Sequence, residues 1–285
     1  MRAAVLEAGR FRVREHPDPV PGPGQALVAT EACGICGSDL SAVAHTEEFL
    51  RASRDSAATS FLFDPDRPLV MGHEFSGRVL AHGPGATGPE PGTGVVGLPW
   101  AVDPGGVVRT VGYSNAFPGG FGERIVVQAQ ALLPVPPSLD LALAALTEPL
   151  AVGFGNIARS AAGKDTPAVV VNCVGVPGLL NQLLHTVPRG TEILQIGGVM
   201  TEDVIRPVAG IYKDVTIRMC LTYPPEEFGA TLARLADGRV DPGSLVTGEA
   251  GSGGLDAAFA SLRRPEEHIK VLIRPGREGT GVVAR

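Results

Sequence analysis

A thiol, an imidazole and two carboxylates stand in short glycine- or proline-marked motifs of this 285-residue chain. They are Cys36 in CGICGSDL, His73 and Glu74 in GHEFSGRV, and Glu148 in TEPLAVG. Such donors hold zinc, which in a catalytic site keeps one position open or exchangeable and acts as a Lewis acid on oxygen. Each motif alone has a plainer reading. Cys33-Gly-Ile-Cys36 lacks the second cysteine pair of a metal knuckle. Gly-His-Glu suits a strand edge with a solvated carboxylate, and Glu148 before Pro149 suits the end of a helical turn.

A dinucleotide site would need a strand, a glycine-rich turn and a helix N-terminus aimed at the pyrophosphate. The literal G-x-G-x-x-G at residues 83–88 is followed by Pro89-Glu90-Pro91-Gly92 and no helix, so it reads as a turn. Residues 248–254 read as a glycine-rich loop.

The elements that must position these groups change character along the chain. Residues 1–157 read as β-rich, with short runs at 3–6, 12–14, 26–32, 77–81, 94–98 and 123–127 between Gly/Pro turns. A surface helix is expected at 46–56 and a helical stretch at 139–158. From 165 on, PAVVVNCVG and TEILQIGG read as buried strands, the first apolar enough to be covered on both faces. A helix at 178–187 lies between them, and residues 214–221 offer a third strand before a helix at 225–237. This order indicates a parallel βαβ sheet. Residues 241–285 supply one more helix and a final strand, KVLI. The expected organisation is therefore α/β, with domains at 1–157 and 158–240 and a return to the first at 241–285.

Composition narrows the partners. Hydrophobic content of 44% with 19% charged residues describes a globular chain, and a formal charge of −6 without a basic tract argues against nucleic acid. The longest apolar stretches are too short to cross a bilayer, and the start lacks a signal-peptide apolar region. Four cysteines without a disulfide pattern fit a cytoplasmic protein.

The four ordered motifs CGICGSDL, GHEFSGRV, GGFGER and TEPLAVG resemble the zinc-dependent medium-chain dehydrogenase/reductase family, in its sorbitol- and threonine-dehydrogenase flavour. The resemblance implies a GroES-like catalytic domain and one catalytic zinc held by Cys36, His73, Glu74 and Glu148. Glu74 and Glu148 would exchange with water and serve as base when not coordinated. It implies a proton-relay hydroxyl at Ser38 and a carboxylate at Asp39 that orients the histidine ligand. Cys33 is not a ligand by this match. Residues 92–118 contain no cysteine, so no structural zinc is expected, and Ser41 stands where the family commonly carries a relay histidine. His45 is a further proton-transfer candidate, with a surface position as its plainer reading.

In that family a nucleotide-binding βαβ unit follows the EPLAVG helix. Here only AAGKDTP separates that helix from PAVVVNCVG, and a βαβ unit takes roughly 30 residues. The expectation is a truncated Rossmann-like sheet of about three strands, without its first three, that cannot grip NAD or NADP. The favoured function is then cofactor-free Lewis-acid chemistry on an oxygenated small molecule: a lyase, isomerase, cyclase or hydrolase. The alternatives are a zinc alcohol dehydrogenase with atypical NAD(P) capture and a non-catalytic relative. A shortened sheet would bare the edge at 168–172, to be covered by residues 158–167 or by a second subunit, and a homodimer is expected.

Overall fold

The computed structural model describes residues 1–162, 167–264 and 266–285. These form two compact units, one of Met1–Pro149 with Phe228–Arg285 and one of Leu150–Glu227. The class is α/β: a β-rich sheet in the first unit and a small parallel sheet in the second.

The first unit is organised around the strand Gln25–Gly34, long enough at ten residues to carry partners on both edges. One edge pairs antiparallel with Glu74–His82, from Ala26 opposite His82 to Gly34 opposite Glu74. The other edge is shared. Arg124–Gln128 lies along its beginning, and Lys270–Arg274 takes its end through Cys33 opposite Ile273 and Gly34 opposite Leu272. Three segments distant in sequence thus meet at Gly34. Beneath them Phe75, Ile125, Leu146 and Leu272 are fully buried, each such side chain stabilising by about 1.5–3 kcal/mol. Phe11, Phe121 and Phe259 pack ring against ring at centroid distances of 4.7–6.2 Å. They tie the hairpin Arg2–Glu7/Arg10–Glu15 and the helix Leu255–Leu262 to the sheet.

The second unit carries three parallel strands, Val169–Asn172, Glu192–Gln195 and Thr216–Met219, in that spatial order. The helix Leu179–Thr186 connects the first pair and Pro207–Ile211 the second. Leu180, Leu184, Val187 and Ile193 form its core, with Val170 and Ile217 packed against it.

Several expectations change. Val169–Asn172 is not covered on both faces: Val171 is exposed, because this strand is the edge of a three-stranded sheet. Of the cover expected for that edge, residues 163–166 lie outside the described residues. Residues 248–254 are no loop. Val246–Gly251 is a strand and Ser252–Gly254 a single 3₁₀ turn. Glycine is needed there for close approach, since a Cβ on Gly251 would lie 2.3 Å from the Arg277 carbonyl oxygen. The turn at residues 83–88 stands as expected, with Gly85 at φ +64°. Among the described residues no helix is long and apolar enough to cross a membrane.

Candidate metal centre

Cys36 sits at the N-cap of the helix Gly37–Ala44 with extended backbone, φ −94° and ψ 156°. Asp39, three residues on, returns its Oδ2 to accept the Cys36 N–H at 2.9 Å, a capping arrangement that fixes the turn carrying both side chains. Gly72 has φ +100°, a conformation that favours glycine, and delivers His73 and Glu74 to the start of their strand. The backbone packs tightly here: a Cβ on Gly119 would lie 2.4 Å from the carbonyl oxygens of both Met71 and Gly72. Gly119→Ala is therefore expected to cost about 2–3 kcal/mol through overpacking. Metal occupancy should fall with it, as checked by denaturant unfolding and metal analysis.

Glu74 is wholly buried. Lys270 Nζ donates to both its carboxylate oxygens at 2.9 Å and to the Ile35 carbonyl oxygen at 2.9 Å. Burial alone would push the Lys270 ammonium down. Glu74, Cys36 and Glu148 outweigh it and hold the pKa above its ordinary value. Gly34, opposite Glu74 in the ladder, leaves the room: a Cβ there would lie 2.0 Å from Glu74 Oε2.

His73 is buried, with Nδ1 3.4 Å from Asp39 Oδ1. That separation is an electrostatic contact and not a formed hydrogen bond, so Nδ1 counts among the buried polar atoms without a hydrogen-bond partner. Burial pushes the imidazole down, but Asp39 and Cys36 prevail and hold it well above the usual histidine range. The surroundings thus draw positive charge toward this point.

Ligand atoms of Cys36, His73 and Glu74 all lie within 4.8 Å of one another, the one such cluster among the described residues. Thiolate, imidazole and carboxylate at this spacing suit zinc. Glu148 stands outside the trio. It also does not end a helical turn: it lies in the first turn of Thr147–Ala158, where Pro149 is tolerated because no intrahelical acceptor is available to its position. Ser38 and Asp39 both touch the Tyr113 hydroxyl, at 2.9 and 2.8 Å. Cys33 is buried with its thiol pushed up, chiefly by desolvation, and lies against the positions of Gly72 and Gly120. Ser41 is half-buried, and His45 is exposed at the junction of Gly37–Ala44 and Thr46–Asp55.

Lys270 and Tyr113 escape the sequence reading. A lysine opening the otherwise apolar KVLI was a usable signal for the first. Tyr113 offers none, since its contacts lie 75 residues away in a different motif.

A GroES-like sheet bearing this donor trio, with a separate parallel α/β unit, defines the class as zinc-type alcohol-dehydrogenase-like. Residues 22–137 match the alcohol dehydrogenase GroES-like domain. The chain is 29% identical to a sorbitol dehydrogenase of Halalkalibacterium halodurans over 81% of its own length and 64% of that protein's. It therefore spans less than two thirds of that curated relative. Its fold superposes on a 2R,3R-butanediol dehydrogenase from Bacillus subtilis with TM-score 0.79 at 21% identity, over 96% of this chain and 99% of the other. A short-chain alcohol dehydrogenase from Escherichia coli, complexed with NADH, superposes with TM-score 0.74 at 16% identity, over 96% and 99%. Residues 22–137 are thus an alcohol dehydrogenase GroES-like domain, and the chain as a whole resembles the zinc-type alcohol-dehydrogenase-like members of the medium-chain dehydrogenase/reductase family.

These likenesses correct the functional expectation. The cofactor-free lyase, isomerase, cyclase or hydrolase reading is overturned, because the related proteins are named as dehydrogenases. NAD(P) can no longer be called unlikely, since one structural neighbour holds NADH. Nor is a lost nucleotide-binding half supported, as the superposition runs across 99% of the butanediol dehydrogenase. The expectation rested on the seven residues AAGKDTP standing where a βαβ unit would need about 30, and a missing βαβ unit does not by itself decide the reaction.

Proposed function

We propose that this chain is a zinc-dependent oxidoreductase that interconverts a secondary alcohol and a ketone on a small polyol or vicinal diol, with a nicotinamide as redox partner. The observation that carries the reading is the donor trio of Cys36, His73 and Glu74 within 4.8 Å, in a chain whose relatives are named for sorbitol and butanediol. Zinc bound there, with a nicotinamide, supplies Lewis acidity toward an alcohol oxygen and a two-electron oxidant.

The chain's own residues do the rest. Cys36 and His73 would hold the metal, with Glu74 as the third donor of the trio and Glu148 as a further candidate. Lys270 neutralises Glu74 when that carboxylate is not engaged, so its release leaves no bare buried charge. Asp39 faces His73 Nδ1 and keeps the ring turned toward the metal. Ser38 would meet the substrate hydroxyl as its hydrogen-bond acceptor.

Nicotinamide capture falls to the second unit. Parallel sheets take nucleotides outside the carboxyl ends of their strands. There, residues 173–178 follow Val169–Asn172 with Val174 and Val176 exposed, and residues 196–198 follow Glu192–Gln195. Glycine lets these two loops touch: a Cβ on Gly175 would lie 2.2 Å from the Gly198 carbonyl oxygen.

Zinc-loaded protein is expected to oxidise vicinal diols and polyols with NAD⁺ or NADP⁺, followed by nicotinamide absorbance. Activity should vanish on chelation and return with zinc. No turnover with either coenzyme across butane-2,3-diol, sorbitol and related diols would refute the proposal.

A further inference from the structure

Tyr113 has had no part in the reaction so far, yet its hydroxyl touches two groups that do. The ring is 1% exposed, stacked on Phe49 at 5.5 Å and held 5.3 Å from the His73 ring. Phe61 closes a third side at 5.7 Å, so the hydroxyl has little freedom to turn elsewhere. Its oxygen lies 2.8 Å from Asp39 Oδ1 and 2.9 Å from Ser38 Oγ.

The direction of these bonds follows from counting protons. A phenol has one proton, and a carboxylate offers only acceptors. Asp39 is wholly buried, and its Oδ2 already accepts the Cys36 N–H. The Tyr113 proton therefore goes to Asp39 Oδ1, because the opposite choice would leave that buried oxygen facing a lone pair. Tyr113 then has only its lone pairs for Ser38, so Ser38 must donate. The Ser38 proton points into the protein, and its own lone pairs remain for an incoming donor. Ser38 Oγ has no second hydrogen-bond partner among the described residues.

We infer that Tyr113 is a positioning residue that polarises Ser38, locking its hydroxyl as an acceptor toward the substrate alcohol. The inference rests on the dehydrogenase reading and deepens it. An alcohol that is to be oxidised must surrender its O–H proton, so the protein oxygen that meets it has to accept. An unrestrained serine rotor would present its own proton to the substrate in part of its orientations. Tyr113 removes them.

The test uses zinc-loaded wild type and the variants Y113F, S38A and Y113F/S38A. Each is analysed for zinc and assayed for nicotinamide-dependent oxidation of butane-2,3-diol. Phenylalanine keeps the ring packing and deletes only the hydroxyl. In Y113F the zinc content and KM should stay within about threefold of wild type while kcat falls about tenfold, the scale of one lost hydrogen-bond constraint. The double variant should be no slower than S38A alone beyond about twofold, since Tyr113 acts through Ser38. Three outcomes overturn the inference alone: a wild-type kcat in Y113F, losses that multiply in the double variant, or a loss that follows zinc content. A wild type inactive with both NAD⁺ and NADP⁺ overturns the dehydrogenase reading and this inference with it.

Discussion

Cys36→Ser should lose both its metal and its turnover. The thiolate is the soft donor of the trio, and the Cys33 thiol of the same unit is buried against the positions of Gly72 and Gly120. A serine hydroxyl is a poor ligand near neutral pH and reaches less far. Removing Lewis acidity worth several kcal/mol corresponds to a fall of about 10³-fold or more in kcat/KM. The fold should persist, because Cys36 is half-buried and the helix is capped by Asp39 through the Cys36 backbone N–H, which serine retains. Metal analysis, circular dichroism and steady-state kinetics on one preparation check all three parts. Retained zinc with full activity would show that the trio is not the metal centre.

Lys270→Met should be the most destabilising single change near the site. It leaves the Glu74 carboxylate buried beside Gly34 without the ammonium that now bonds both its oxygens. Breaking a buried ion pair on one side costs about 3–5 kcal/mol, more than the intact pair contributes over an apolar substitute. Thermal melting should drop by roughly 10 °C. The sign of the double variant separates causes. Adding Glu74→Gln removes the stranded charge and should recover most of the stability, though not the metal chemistry. A Lys270→Met protein as stable as wild type would mean that Glu74 is neutral or hydrated in the folded chain.

These effects indicate which parts of the molecule were legible in the sequence. Cys36, Asp39, His73 and Glu74 are placed by local backbone: a capped helix start and a glycine at positive φ. Short motifs encode such devices fully, so the residues could be named before the fold was known. The Glu74–Lys270 pair spans 196 residues and exists only because two strands flank Gln25–Gly34 at its end. No spacing rule carries that register. Tyr113 is hidden for the same reason.

Short strands escaped as well. Trp100–Val102 and Val108–Thr110 have three residues each, too few for an alternation to register, and their turn is held by Asp103 Oδ1 accepting from Gly105 and Val107. The exposed face of Val169–Asn172 was misread because a continuous apolar run does not reveal how many neighbours a strand will have. The function was misread one level higher. The three parallel strands were anticipated, but the conclusion that a sheet without its first βαβ unit excludes a coenzyme treated that unit as the only way to hold a nucleotide.

The account stands most directly on one titration. Zinc-analysed wild-type protein is titrated with NADH and with NADPH by calorimetry. It predicts about one zinc per chain and saturable binding of at least one of the two below about 1 mM, within the range enzymes ordinarily use. Protein that holds zinc yet gives no heat with either nucleotide at that concentration would contradict it.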